Sequence, residues 1–143
     1  TCALPISDRV LNRKIVEKAT NMKSYAYASD DPEASDFAHP SVINIADTVQ
    51  IAISTGGSSP AMARKIKLKA ESYFKNNISN EEIFQIRLQK FARSEAKLII
   101  KTQIERKKFL YSILNDKRVK ELLKDKKYKQ AKTRVKKMLK EWL

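Results

Sequence analysis

The spacing of apolar residues changes period twice along this chain. Behind Asp8, a good helix cap, Val10, Leu11, Ile15 and Ala19 recur at helical intervals and predict a helix over residues 8–20. Tyr25-Ala26-Tyr27-Ala28-Ser29 then predicts a short strand. Asp30-Asp31-Pro32 ends it, because Pro32 disfavours helix at Asp31 and removes a backbone donor. Two runs of strand formers follow, over residues 41–46 and 48–54. They carry Val42, Ile43, Ile45, Val49, Ile51 and Ile53, with a turn near Asp47. An isolated hairpin is barely stable in water, so this one must pair with a second chain or pack on helices.

From Pro60 onward the period returns to that of a helix. A first helix is predicted over residues 61 to about 75. Ser79 and Glu82 form a capping box that opens a long one, with Ile83, Ile86, Phe91, Leu98, Ile99 and Thr102 as its buried side. Asn115-Asp116 interrupts the pattern and caps a segment running through Leu122 and Leu123. Tyr128, Ala131, Val135, Met138 and Trp142 form the stripe of the last helix. The fold class expected is α+β.

The net charge of +14 is unevenly spread. Residues 1–60 hold five Lys or Arg against seven acids, a balance of −2, which leaves +16 for the remainder. A basic second half calls for an anionic partner, or is simply a set of solvated helix faces. Its aromatics fall on apolar stripes, so they read as core rather than as platforms for bases. A basic helical nucleic-acid-binding module is therefore the alternative, carried by charge alone. No run of about 18 apolar residues suggests a membrane span. The first residues show no leader-like apolar core. Cys2 is the only cysteine, which excludes an internal disulfide framework and a cysteine zinc site and favours a reducing, cytoplasmic setting.

The densest local signal is residues 51–64, where a short apolar strand runs into the only two glycines, Gly56 and Gly57, and then into a helix start at Ser59-Pro60. Ser59 can cap the first amides, and Pro60 occupies the first helical position, where a missing donor costs nothing. Such a turn offers main-chain N–H groups to an anion, or is a strand-to-helix connection that binds nothing. His39 is the single histidine and, even with Asp36, meets no metal-ligand spacing; it reads as a structural or pocket-lining residue. Asp30 and Asp31 are placed for general acid–base work if burial or like charge raises a carboxyl pKa, or are an ordinary loop beside a proline. No nucleophile elbow is present.

Asp30-Asp31-Pro32-Glu33, Asp36-Phe37 and Pro40-Ser41, followed by residues 51–64, closely resemble the siroheme synthase family of precorrin-2 dehydrogenases and sirohydrochlorin ferrochelatases. Ser7-Asp8 with Leu11-Asn12 resembles the segment opening the last helix of that family's dinucleotide-binding domain. The likeness is strong over about residues 7–75. It implies a remnant of an NAD-binding Rossmann domain over 1–36, a β-rich segment over 37–60 that dimerises two chains, and a basic helical domain over 61–143. It implies NAD-dependent oxidation of precorrin-2 to sirohydrochlorin, with ferrous iron insertion in some members. The substrate is a tetrapyrrole polycarboxylate, and the chain a cytoplasmic homodimer. By the same likeness Asp30 is the catalytic acid–base residue, while Ser54, Thr55, Gly56 and Gly57 shape the substrate wall; His39 has no counterpart in the family and is kept as a pocket residue on its own account.

The departures are equally specific. No G-x-G-x-x-G run occurs, so no cofactor-binding residue is assigned in this chain. Residues 1–6 do not resemble the family's strand there, and Pro5 is poor in a central strand. A truncated chain with foreign first residues and weak turnover is the resulting expectation. Tyr27 replaces an asparagine common in the family's strand.

Overall fold

The computed structural model describes residues 8–28 and 31–142, and it is α+β: six helices and one two-stranded antiparallel hairpin among those residues. The helices are α1 (Arg9–Asn21), α2 (Pro60–Asn77), α3 (Asn80–Ile99), α4 (Gln103–Asn115), α5 (Lys117–Lys124) and α6 (Tyr128–Glu141). The strands are β1 (Ser41–Ile45) and β2 (Val49–Ile53), and Pro32–Ala34 makes a single 3-10 turn. None of these helices is long and apolar enough to cross a membrane. The chain divides into two compact units, residues up to Ile43 with Ile51–Ser72, and Asn44–Gln50 with Tyr73 onward.

In the first unit, Asp8 caps α1 by accepting from the Val10 and Leu11 amides, both at 3.0 Å. Its apolar residues are not the buried ones: Val10 and Leu11 are exposed, and Asn12 is the residue enclosed. The strand expected over residues 25–29 is absent over 25–28, and Ser29 lies outside the described residues. A strand needs a neighbouring backbone, and here a loop supplies the partners instead. The Ala26 amide donates to Asp36 Oδ2 at 2.8 Å, the Ala28 amide to Ser35 Oγ at 2.9 Å, and the Asp36 amide to the Ala26 carbonyl at 2.9 Å. That engages Asp36 structurally, and no cluster of metal-ligating side chains occurs among the described residues.

The hairpin turns on Ala46 and Asp47, at φ +50° and +48°. Two successive left-handed residues match the twist of the strands, which is why such turns close hairpins. Ile43 and Ile45 are buried on one face, while Val42, Asn44, Gln50 and Ala52 are exposed on the other.

In the second unit, Arg87 of α3 holds the hairpin tip, donating to the Ala46 carbonyl at 2.7 Å and Thr48 Oγ1 at 3.0 Å. The core here is one cluster. Leu88, Ala92 and Ala96 of α3, with Ile100 just past its end, meet Phe109 and Ile113, Val119, Leu122 and Leu123, and Ala131, Val135 and Leu139. This corrects the expected face of α3: Ile83 is buried and Phe91 partly so, but Ile86, Leu98 and Ile99 are exposed. Thr102 lies beyond α3 as the exposed cap of α4, accepting from the Glu105 amide. Alanines at the seam let helices approach closely, so small residues rather than large ones mark it. Capping is as read from the residues. Ser79 and Glu82 exchange the reciprocal bonds of a capping box, and Asp116 accepts from the Val119 amide at 2.8 Å.

Candidate functional site

The candidate site lies in the first unit, where β2 ends and α2 begins. Ser54 starts the turn by accepting from the Gly56 amide at 3.1 Å. Gly56 and Gly57 then take φ of +61° and +82°, conformations that other residues adopt only under strain. A Cβ at Gly56 would meet nothing within 4 Å, so dihedral freedom rather than space selects glycine there. Ser59 Oγ accepts from the Met62 amide at 3.2 Å and caps α2 ahead of Pro60.

Thr55 closes the turn on itself. The Ser59 amide donates to Thr55 Oγ1 at 3.1 Å, and that hydroxyl donates to the Ser59 carbonyl at 3.1 Å. Its single proton is therefore engaged inside the turn. The Gly57 and Ala61 amides have no hydrogen-bond partner among the described residues. The Ala61 amide stands in the first turn of α2, where the helix dipole favours negative charge, and the Gly57 amide lies in the turn that precedes it.

A cavity of about 110 Å³ opens beside this turn. Ser54, Thr55 and Gly57 line it, together with Tyr27, Phe37 and His39. Those three rings touch one another: Tyr27 stacks on Phe37 at 5.5 Å between centroids and meets His39 edge-on at 4.4 Å. Four of the residues singled out in the sequence, His39, Ser54, Thr55 and Gly57, thus line one cavity, and Gly56 sits in the same turn outside the lining. Tyr27 and Phe37 are brought in by the fold. The sequence marked Tyr27 only as a departure from the family's asparagine and Phe37 only as part of the Asp36-Phe37 likeness, and placed neither in a pocket. A space of this size takes one carboxylate arm or a ring edge, not a macrocycle, since pockets for whole ligands run to about 300–1,000 Å³.

Asp30 lies outside the described residues. Its neighbour Asp31 is buried and paired, accepting from Arg13 Nε at 2.6 Å with Arg9 Nε at 3.7 Å. The Arg13 hydrogen bond holds the Asp31 carboxyl below the usual carboxylate range, against the burial that would raise it. The upward shift considered for Asp31 is thus reversed. It is an anionic clamp between α1 and the Pro32–Ala34 turn, not a proton donor near neutral pH.

The turn and its flanks also carry the resemblance to known proteins. The family model described as "Sirohaem biosynthesis protein central" matches residues 47–69, which enclose β2, the glycine pair and the first turns of α2. The chain belongs to the siroheme synthase family. It is 36% identical over 75 residues to a siroheme synthase of Escherichia coli O1:K1, covering 50% of this chain and 16% of that one. To the siroheme synthase of Gluconacetobacter diazotrophicus it is 40% identical over 65 residues, covering 46% and 14%. To that of Neisseria meningitidis serogroup C it is 30% identical over 103 residues, covering 72% and 20%. The chain spans no more than a fifth of the length of these siroheme synthases.

Nicotinamide dinucleotide sites need a glycine-rich turn between a parallel strand and a helix. Among the described residues of this siroheme synthase family member the sheet is a lone antiparallel hairpin, so they do not fit that cofactor.

Proposed function

We propose that this chain supplies the tetrapyrrole-binding wall of a precorrin-2 dehydrogenase, acting in siroheme biosynthesis as a homodimer paired through the β1–β2 hairpin. The observation that carries the reading is the convergence of His39, Ser54, Thr55 and Gly57 on one cavity beside two unpartnered amides.

In this reading one carboxylate arm of the macrocycle enters the cavity and accepts from the Gly57 amide that lines it, with the Ala61 amide in the first turn of α2 adding to the favourable field. Thr55 acts as a positioning residue: its hydroxyl holds the Ser59 backbone and so aims those amides. The Tyr27, Phe37 and His39 rings supply the apolar wall against the arm's methylenes and the ring edge. Dehydrogenation removes one hydride and one proton. Asp30, assigned by the family resemblance, takes the proton, and the hydride goes to NAD, for which the described residues offer no fitting site.

The test is a transplant. Residues 8–75 replace the matching segment in the Escherichia coli siroheme synthase, and sirohydrochlorin absorbance is followed with precorrin-2 and NAD. The expected result is NAD-dependent formation of sirohydrochlorin that an Asp30→Ala change removes. A chimera that folds, binds sirohydrochlorin and never forms it from precorrin-2 overturns the reading.

A further inference from the structure

The second unit contains a groove that no part of the proposed site uses. It runs between α3 and α4, which are joined by residues 100–102, and has a volume of about 670 Å³. Its floor is apolar, from Ala96, Leu110 and Leu114, with the half-exposed ring of Tyr111 at one side. Its rim is cationic: Arg93 and Lys97 from α3, Arg106 and Lys107 from α4. No acid lines it.

The four cations are not equivalent. Arg106 donates to the Ile100 and Lys101 carbonyls, both at 2.8 Å, and so stops the end of α3 from fraying. Arg93, Lys97 and Lys107 have no carboxylate partner among the described residues, whereas Lys108, one position on, pairs with Glu105 at 2.7 Å. Three unpaired like charges around one depression repel each other and raise its local potential. An apolar floor inside a cationic rim, with the Gln89 and Gln103 amides beside it, selects a ligand of the complementary design. That ligand has a planar apolar body with carboxylates at its edge, and the groove is of the size that encloses such a molecule. A nucleic-acid strand, by contrast, is held by successive bases stacked on aromatic rings, and Tyr111 is the only ring in this lining.

We infer that the α3–α4 groove is a binding site for a planar polycarboxylate of the tetrapyrrole class, separate from the Thr55 turn. The ligand class follows from floor and rim, and its identification as a tetrapyrrole rests on the function proposed above. The groove holds the macrocycle face-down on Leu110 and Tyr111, with edge carboxylates on Arg93, Lys97 and Lys107. It serves to gather or retain a pathway tetrapyrrole at the basic half of the chain.

The experiment titrates the whole chain with uroporphyrin, ringed by acetate and propionate arms, and with coproporphyrin, which keeps only propionates. Trp142, the only tryptophan, packs on Phe109 of α4 within the same unit, and energy transfer to the porphyrin reports binding through its quenching. The variants are Arg93→Glu with Lys107→Glu, the neutral pair Arg93→Gln with Lys107→Gln, and a control of equal charge, Lys117→Glu with Lys129→Glu, at exposed sites that do not line the groove. The expected result is tighter binding of uroporphyrin, weakened about tenfold or more by the groove reversal and less by the neutral pair. The control leaves it within about twofold. Should the reversed protein fail to fold by circular dichroism, the neutral pair decides. Equal losses in groove and control variants overturn the inference, as does a groove that prefers an oligothymidylate and releases uroporphyrin to it. Quenching abolished by Thr55→Val but untouched by the groove variants also overturns it and leaves the turn as the tetrapyrrole site. Groove binding that persists while the transplant stays inactive overturns only the dehydrogenase reading.

Discussion

The Thr55 side chain and the Ser59 backbone exchange two hydrogen bonds, each 3.1 Å long, across the glycine pair. That makes the threonine hydroxyl a brace rather than a free ligand. A family likeness would place a hydroxyl at this position against the substrate. In the proposed reading its effect is transmitted through the turn that it braces. Thr55→Val removes a donor and an acceptor from a partly buried turn and should cost about 1–2 kcal/mol. Thr55→Ser, which keeps the hydroxyl, should cost well under half as much. Urea denaturation of the two variants checks this, and porphyrin affinity at the turn should track stability rather than side-chain size.

Gly56 offers a sharper separation of space from dihedral strain. Because a Cβ there meets nothing, Gly56→Ala pays only for φ +61°, about 1–2 kcal/mol. Asparagine tolerates this region better than alanine, so Gly56→Asn should recover a substantial part of the loss. Thermal midpoints for the wild type and both variants, ranked Gly above Asn above Ala, are the expected outcome. Equal midpoints for Asn and Ala would show that the turn relaxes away from its left-handed conformation.

Local chemistry was legible from residue types alone, and longer-range chemistry was not. Asp8, Ser79 and Asp116 announce their helices because a cap acts within three residues of itself. The glycine pair likewise marks its own turn. The strand expected at residues 25–28 failed because strand formation depends on a neighbour, and the neighbour is a loop whose Ser35 and Asp36 answer the Ala26 and Ala28 amides through side chains. The face of α3 was misjudged because Ala92 and Ala96, fully enclosed, carry less apolar weight than the exposed Ile86 and Leu98. Arg13 and Asp31 lie 18 positions apart, so nothing local reveals that one carboxylate is already claimed. Tyr27 and Phe37 join the cavity only through space.

The α3 seam should be intolerant of bulk. Ala92 and Ala96 are both fully enclosed against the helical core. Ala92→Leu forces neighbouring side chains off their rotamers and should destabilise by about 1–3 kcal/mol. Leu98→Ala, at a residue that is 84% exposed, should change stability by less than about 0.5 kcal/mol. The reverse ranking would place the seam on the other face of α3.

Asp116 links electrostatics to stability in a way pH can read. It caps α5 through the Val119 amide and pairs with Arg134 at 2.7 Å. Burial pushes its carboxyl pKa up, but the Arg134 and amide hydrogen bonds outweigh that and leave it below the usual range. A carboxyl lowered in the folded state binds fewer protons there than in the unfolded chain, so its stabilisation is complete above the unfolded pKa of about 4. It fades as pH falls through the lower folded value. Asp116→Asn keeps a cap-competent oxygen but loses the charge, and leaves Arg134, whose Nε is already buried without a partner, facing a neutral amide. The substitution should cost about 1–2 kcal/mol at pH 7. The gap between wild type and variant should close as pH drops below about 4, where the native carboxyl also becomes neutral. Urea midpoints measured for both proteins from pH 7 down to pH 3 test the sign, and a gap that widens on acidification would show that the pair opposes folding.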